Sequence, residues 1–179
     1  MHLSSASQGL GQQILTAFCL SGGHGAVVDL SLSSAKDSIS TITSEVTSAG
    51  LPVPNLRPYE CNTADESAVN ATFSQIVEDF GKVDVLCTNA GITGGEAAET
   101  YDFGNWKEMM DVNVMGSFLF ARQAGAHMIE RGIKGSIVMV SSMSGMIVNR
   151  PQKQSAYNAV SLPCMAPSLS FSSRCETDI

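Results

Sequence analysis

Two serines and a tyrosine carry the side chains in this sequence best suited to work on a substrate oxygen. The apolar run Val138-Met139-Val140 leads into Ser141-Ser142, and Tyr157 follows fifteen residues after Ser142. A serine hydroxyl can hold an oxygen atom by hydrogen bonding, and a phenol can give it a proton or take one from it. A phenol ordinarily ionises near pH 10, so at neutral pH it is a poor base without help.

A second group of residues has the pattern of a dinucleotide site. Ser4-Ser5-Ala6-Ser7-Gln8-Gly9-Leu10-Gly11 puts a Gly-x-Gly pair just ahead of a helical pattern. Such a loop brings backbone N–H groups and a positive helix end up to a pyrophosphate, although a Gly-x-Gly pair is also an ordinary turn. A serine at position 5 would bring a Cβ to a place where the backbone could need a positive φ. Asp29 ends the next apolar run, eighteen residues after Gly11. A carboxylate there can accept hydrogen bonds from ribose hydroxyls and would repel a 2′-phosphate; it could equally be a solvated strand end. Neither Leu30 nor Gln8 supplies the cation that a 2′-phosphate would want, which favours NAD over NADP. Gly22-Gly23-His24-Gly25 precedes a strand instead of following one, so it offers no helix end to a phosphate.

The elements that must position these residues alternate. Leu10, Ile14, Ala17 and Phe18 recur at helical spacing, and Ala26-Val27-Val28-Asp29 is a short buried strand. Residues 34–49 form a polar helix ending at Gly50, and Asn55 to Glu60 a strand. Val69, Phe73, Ile76, Val77 and Phe80 lie on one face of a helix stopped by Gly81. Val83 to Cys87 is the next strand, a long helix runs from Phe103 to Arg131, and Ser136 to Val140 is a strand. Apolar strands alternating with helices predict right-handed βαβ units: an α/β, doubly wound, Rossmann-like parallel sheet. It is expected to be incomplete at both ends, because only Met1-His2-Leu3 precede the glycine loop and the pattern changes after Ala159. The expected division is a dinucleotide-binding domain over 1–159 and an irregular tail over 160–179, where Pro163, Pro167 and many serines interrupt any helical period.

Composition narrows the classes. Hydrophobic residues make up 44% and charged residues 15%, which suits a globular chain. The net charge is −7 and the ten Lys and Arg residues form no stripe, so nucleic acid is not an expected partner. The five cysteines show no ligand spacing, which suits reduced thiols and no metal. Cys19 and Cys87 read as small core residues. No signal peptide and no long apolar run is evident, so no membrane association and a cytoplasmic location are expected.

Taken together, the glycine loop, Thr88-Asn89-Ala90-Gly91, Ser142 and Tyr157 resemble the short-chain dehydrogenase/reductase family over residues 4–159. Ser141 to Gly145 with Ile147 to Gln152 and Tyr157-Asn158-Ala159 looks closest to its sugar- and polyol-handling branch. The resemblance implies an NAD(P)-dependent oxidoreductase interconverting a small-molecule carbonyl and a secondary alcohol. It implies that Ser142 orients the substrate oxygen and Tyr157 exchanges the proton. Asn113, within Asp111-Val112-Asn113-Val114-Met115-Gly116, would support a proton-relay water. It assigns cofactor contacts to Ser4, Gly9, Leu10, Gly11, Asp29, Asn62, Asn89, Ala90 and Gly91.

The family's motif puts a lysine four residues after the tyrosine, where its charge favours phenolate and holds the nicotinamide ribose. Here that residue is Ser161, and Lys153 lies upstream in a loop. Little or no dehydrogenase activity is therefore expected. Family members also ordinarily continue the tyrosine helix, add two strands and a substrate lid, and form homo-oligomers. The alternative is a catalytically inactive dinucleotide-binding or subunit-interacting fragment. The stripe Phe103, Trp106, Met110, Val114 and Phe118 could then dock on a relative, or simply be core.

Overall fold

A computed structural model describes the backbone of residues 2–4 and all of residues 8–161. In chain order the elements are β1 (His2–Ser4), α1 (Gly9–Leu20), β2 (Gly25–Asp29), α2 (Leu32–Ser48), β3 (Leu56–Glu60), α3 (Glu66–Phe80) and β4 (Val85–Thr88). A 3-10 turn (Ala98–Thr100) leads to α4 (Phe103–Met109), a π-helical segment (Met110–Gly116) and α5 (Ser117–Glu130). Then come β5 (Ser136–Met139), a 3-10 turn (Met143–Gly145) and α6 (Ser155–Ser161).

The strands are parallel, in the order β3-β2-β1-β4-β5. β2 is apolar because both its faces are covered. Val27 packs with Leu15, Cys19, Ala35, Ile42 and Val46 of α1 and α2. Its neighbours Ala26 and Val28 face the other way, into a cluster with Leu86 and residues of α3 and α5 such as Val69, Phe73, Phe120 and Met128. That alternation is the two-residue period of a strand. α2 and α3 start where the sequence offers caps: Ser31 Oγ accepts from Ser34 N, and Asp65 Oδ1 from Ser67 N and Ala68 N. The strand order reverses between β1 and β4, which opens a crevice beyond their C-terminal ends, where ligands bind in folds of this kind.

The short first strand is seen: His2–Ser4 pairs with both β2 and β4 at the centre of the sheet. Two expectations need correction. The tail does not begin at Val160, because Val160 and Ser161 belong to α6 and are buried. The expectation for 162–179, like that for Ser5-Ala6-Ser7, lies outside the described residues. The long helix is not uniformly α-helical, since Met110–Gly116 widens to a π turn. That turn splits the aromatic stripe. Trp106, Met110 and Val114 pack in a third cluster around Met109, Ala156 and Val160. Phe118, beyond the extra residue, is rotated out and exposed, as is Phe103 at the helix start.

Candidate active site

Two cavities lie along the crevice, of about 460 Å³ and about 370 Å³. Asn89, Ala90, Gly91 and Ile92 line both, so the loop after β4 is their common floor.

The larger cavity is walled by Asp29 and Leu30 at the end of β2, Asn62 and Thr63 after β3, and Glu108 and Val112 on the long helix. Asp29 is steadied by Ser31, whose backbone N–H donates to Oδ1 at 2.9 Å. Asn62 Oδ1 accepts from Ala64 N at 3.0 Å, which leaves that oxygen one further lone pair. At the same end α1 begins. Its cap residue, Gln8, makes no side-chain capping bond, and the first turn holds no acid. Gly9 has φ +60°, a conformation that suits glycine and lets the chain turn into the helix. Gly11 is buried within α1, where it serves packing and does not line either cavity.

The floor is fixed from beneath. Asn113, 8% exposed, donates from Nδ2 to the carbonyl of Ile92 at 2.9 Å and accepts the Ile92 N–H on Oδ1 at 2.8 Å. Its side chain therefore clamps the floor. The π turn that carries Asn113 packs tightly on the loop after β3: a Cβ on Gly116 would meet Thr63 Oγ1 at 2.9 Å.

The smaller cavity holds Ser142, Tyr157, Asn113 and Ser161, with Leu10 of α1 at its rim. Ser142 Oγ accepts the N–H of Ser144 at 3.1 Å, a bond that uses a lone pair and keeps the hydroxyl proton. Tyr157 is carried on α6, whose Ala156 and Val160 are buried against Met109. Ser161, 5% exposed, occupies the position one turn after Tyr157. Its hydroxyl donates to the Tyr157 carbonyl at 2.7 Å. Its own carbonyl accepts from Ser141 Oγ at 2.7 Å. The group one turn after the tyrosine is thus a short, neutral hydroxyl whose proton is committed to the backbone.

Sequence reasoning brought Asp29, Asn62, Asn89, Ala90, Gly91, Asn113, Ser142 and Tyr157 into one crevice, and the structure does the same. It missed Ile92, the partner of Asn113, and Ser141, which ties β5 to α6. It also missed Glu108, although this residue stands one helical turn before Val112 and shares its face.

Among the described residues no group of three potential ligands could hold a metal ion, and no helix is long and apolar enough to cross a membrane. Cys19, Cys61 and Cys87 are buried, and burial pushes the Cys19 thiol up to about 11 and raises that of Cys61, so neither is poised as a nucleophile.

A parallel sheet with its crevice at the strand reversal, and a Ser/Tyr pair over a small-residue floor, define a doubly wound, Rossmann-like scaffold. The family model "short chain dehydrogenase" matches residues 3–160, and the chain belongs to that family. It is 36% identical over 165 residues to the D-arabinitol 2-dehydrogenase of Scheffersomyces stipitis, covering 87% of this chain and 58% of the relative. It is 32% identical over 142 residues to an NADP-dependent mannitol dehydrogenase of Hypocrea jecorina, covering 79% of this chain and 52% of the relative. The chain thus spans little more than half the length of these relatives. The crystal structure of sorbitol-6-phosphate 2-dehydrogenase from Erwinia amylovora superposes with a TM-score of 0.83 at 26% identity, covering 97% of this chain and 65% of that one.

Proposed function

We propose that this chain binds a nicotinamide adenine dinucleotide along the crevice, NAD in preference to NADP. On this reading it is an oxidoreductase of sugar alcohols by descent whose proton-transfer step is disabled at Ser161. The residues fit the cofactor. Asp29 and Asn62 offer acceptors to an adenosine. The N-terminus of α1 offers N–H groups to a pyrophosphate, and Ala90 and Gly91 let a flat ring approach the floor. When bound, the nicotinamide accepts or supplies the hydride.

The chain's own residues act on the substrate oxygen. Ser142 offers its retained O–H to that oxygen as negative charge grows on it. Tyr157 gives the oxygen a proton in reduction and takes it in oxidation. Taking it at neutral pH calls for a nearby cation, and Ser161 supplies none. The bond from Ser161 Oγ to the Tyr157 carbonyl is the observation that carries this reading. The same bond favours the second reading, a binding protein that takes the dinucleotide without turning it over.

The test is Ser161→Lys, assayed with NAD and a panel of pentitols and hexitols, including D-arabinitol and mannitol. Turnover should rise by about 100-fold or more, the usual scale of an acid–base contribution. A folded, NAD-binding Ser161→Lys protein no more active than the parent would refute the assignment of the defect to this position.

A further inference from the structure

We propose that Glu108 is a cofactor-specificity residue, a second carboxylate that works with Asp29 against a phosphate on the adenosine ribose. The inference rests on the reading of the larger cavity as the adenosine site. Asp29 lines this cavity from the end of β2, and Glu108 lines it from α4. Gln8, Leu30, Asn62, Thr63 and Val112 are also in the walls, and no lysine or arginine is among the described residues that line it. The one cation beside Glu108 in sequence, Lys107, is turned to Asp111, which it meets at 3.0 Å. Two carboxylates therefore share the lining of this cavity, and none of the described residues lining it is a lysine or arginine.

An adenosine with free ribose hydroxyls adds only hydrogen-bonding groups to such a space. A 2′-phosphate adds close to two negative charges and is repelled by carboxylates lining the same cavity. Because Glu108 is exposed, its share of this repulsion is screened by salt. Its exposure also means that replacing it does not disturb the core. Leu30 and Asp29 are adjacent in sequence and invite attention together; Glu108 is nearly eighty residues away and enters the site only through the fold.

The experiment measures dissociation constants of the intact chain for NAD and for NADP by isothermal titration, in low and in high salt. It compares the parent with Glu108→Gln and Glu108→Lys. The expected result is that the NADP-to-NAD ratio of dissociation constants falls severalfold in Glu108→Gln and about tenfold in Glu108→Lys. Affinity for NAD changes less than affinity for NADP, and the shift shrinks in high salt. A ratio unchanged in both variants, with NAD still bound, would overturn the role of Glu108 alone. Failure of the parent to bind either dinucleotide would instead overturn the adenosine reading on which it rests.

Discussion

Replacing Asn113 by aspartate changes one hydrogen-bonding group beneath the crevice floor and should make that floor pH-sensitive. In the native protein the amide matches the Ile92 backbone on both sides, at 2.8 Å to its N–H and 2.9 Å to its carbonyl. A carboxylate at 113 would still accept the N–H, but its second oxygen would face the carbonyl oxygen with no proton between them. Leaving a buried group without its partner costs about 1–3 kcal/mol. At 1.36 kcal/mol per unit, that penalty raises the introduced carboxyl by about 1–2 units above the ordinary aspartate value near 3.9. The folded variant then holds a proton more tightly than its unfolded chain does. Its deficit against the wild type is therefore full above the raised value, at neutral pH. The deficit shrinks as pH falls through that value, and little remains near pH 4, where a neutral carboxyl can donate to Ile92 as the amide does. For a chain of this size the neutral-pH deficit corresponds to about 2–12 °C in Tm. Thermal unfolding followed by circular dichroism at pH 7 and pH 4.5, always paired with wild type, reads it. Asn113→Ala provides the control, with a deficit that does not change with pH. An Asn113→Asp deficit equal at both pH values, or absent at pH 7, would refute the clamp.

Gly116→Val should destabilise by about 1–3 kcal/mol through overpacking, because its Cβ falls 2.9 Å from Thr63 Oγ1. Adding Thr63→Ala should recover part of that loss, measured as a coupling in a double-mutant urea series. His127 accepts the Val83 N–H on Nε2 at 3.3 Å, and burial, then the charge of Arg131, holds the imidazole below its ordinary range against the opposing pull of Glu130 and Asp84. The unfolded chain therefore takes up this proton first. The stability it links is full above about pH 6.5 and is lost progressively as pH falls below that value. Urea midpoints of His127→Gln between pH 7.5 and 5 should fall less steeply than those of wild type. Gly9→Ala should cost about 1–2 kcal/mol for placing a side chain at φ +60°, read as a lowered urea midpoint.

Sequence pattern was informative where burial is continuous or periodic. Ala26, Val27 and Val28 read as a strand because each is buried on one face or the other. α3 was legible from its period and from Gly81, which has φ +80° at its end. β1 is too short to carry a period and is named from sequence only by its place before the glycine loop. His2–Ser4 is a strand because β2 and β4 offer ladders on both sides. The π turn left no local mark either. It is seen only where Asn113 reaches back to Ile92 and Gly116 closes on Thr63. Asp29, Ser142 and Tyr157 could be named from spacing because each closes or follows a recognisable element. Ser161 reads from sequence as tail because no helical period continues beyond it. Its place in α6 follows from contacts with Ser141 and Tyr157 that sequence does not display.

The proposed crevice holds a dinucleotide beside Tyr157, with no lysine or arginine among the described residues that line the cavity. Its most direct test is one titration of NAD into the wild-type chain with sugar alcohols present. Fluorescence of Trp106, the chain's single tryptophan, reports binding, and absorbance of the reduced cofactor reports turnover. A saturable fluorescence change with no measurable turnover is expected. Turnover near the typical enzyme rate of about 10 per second, or no saturable binding at all, would contradict it.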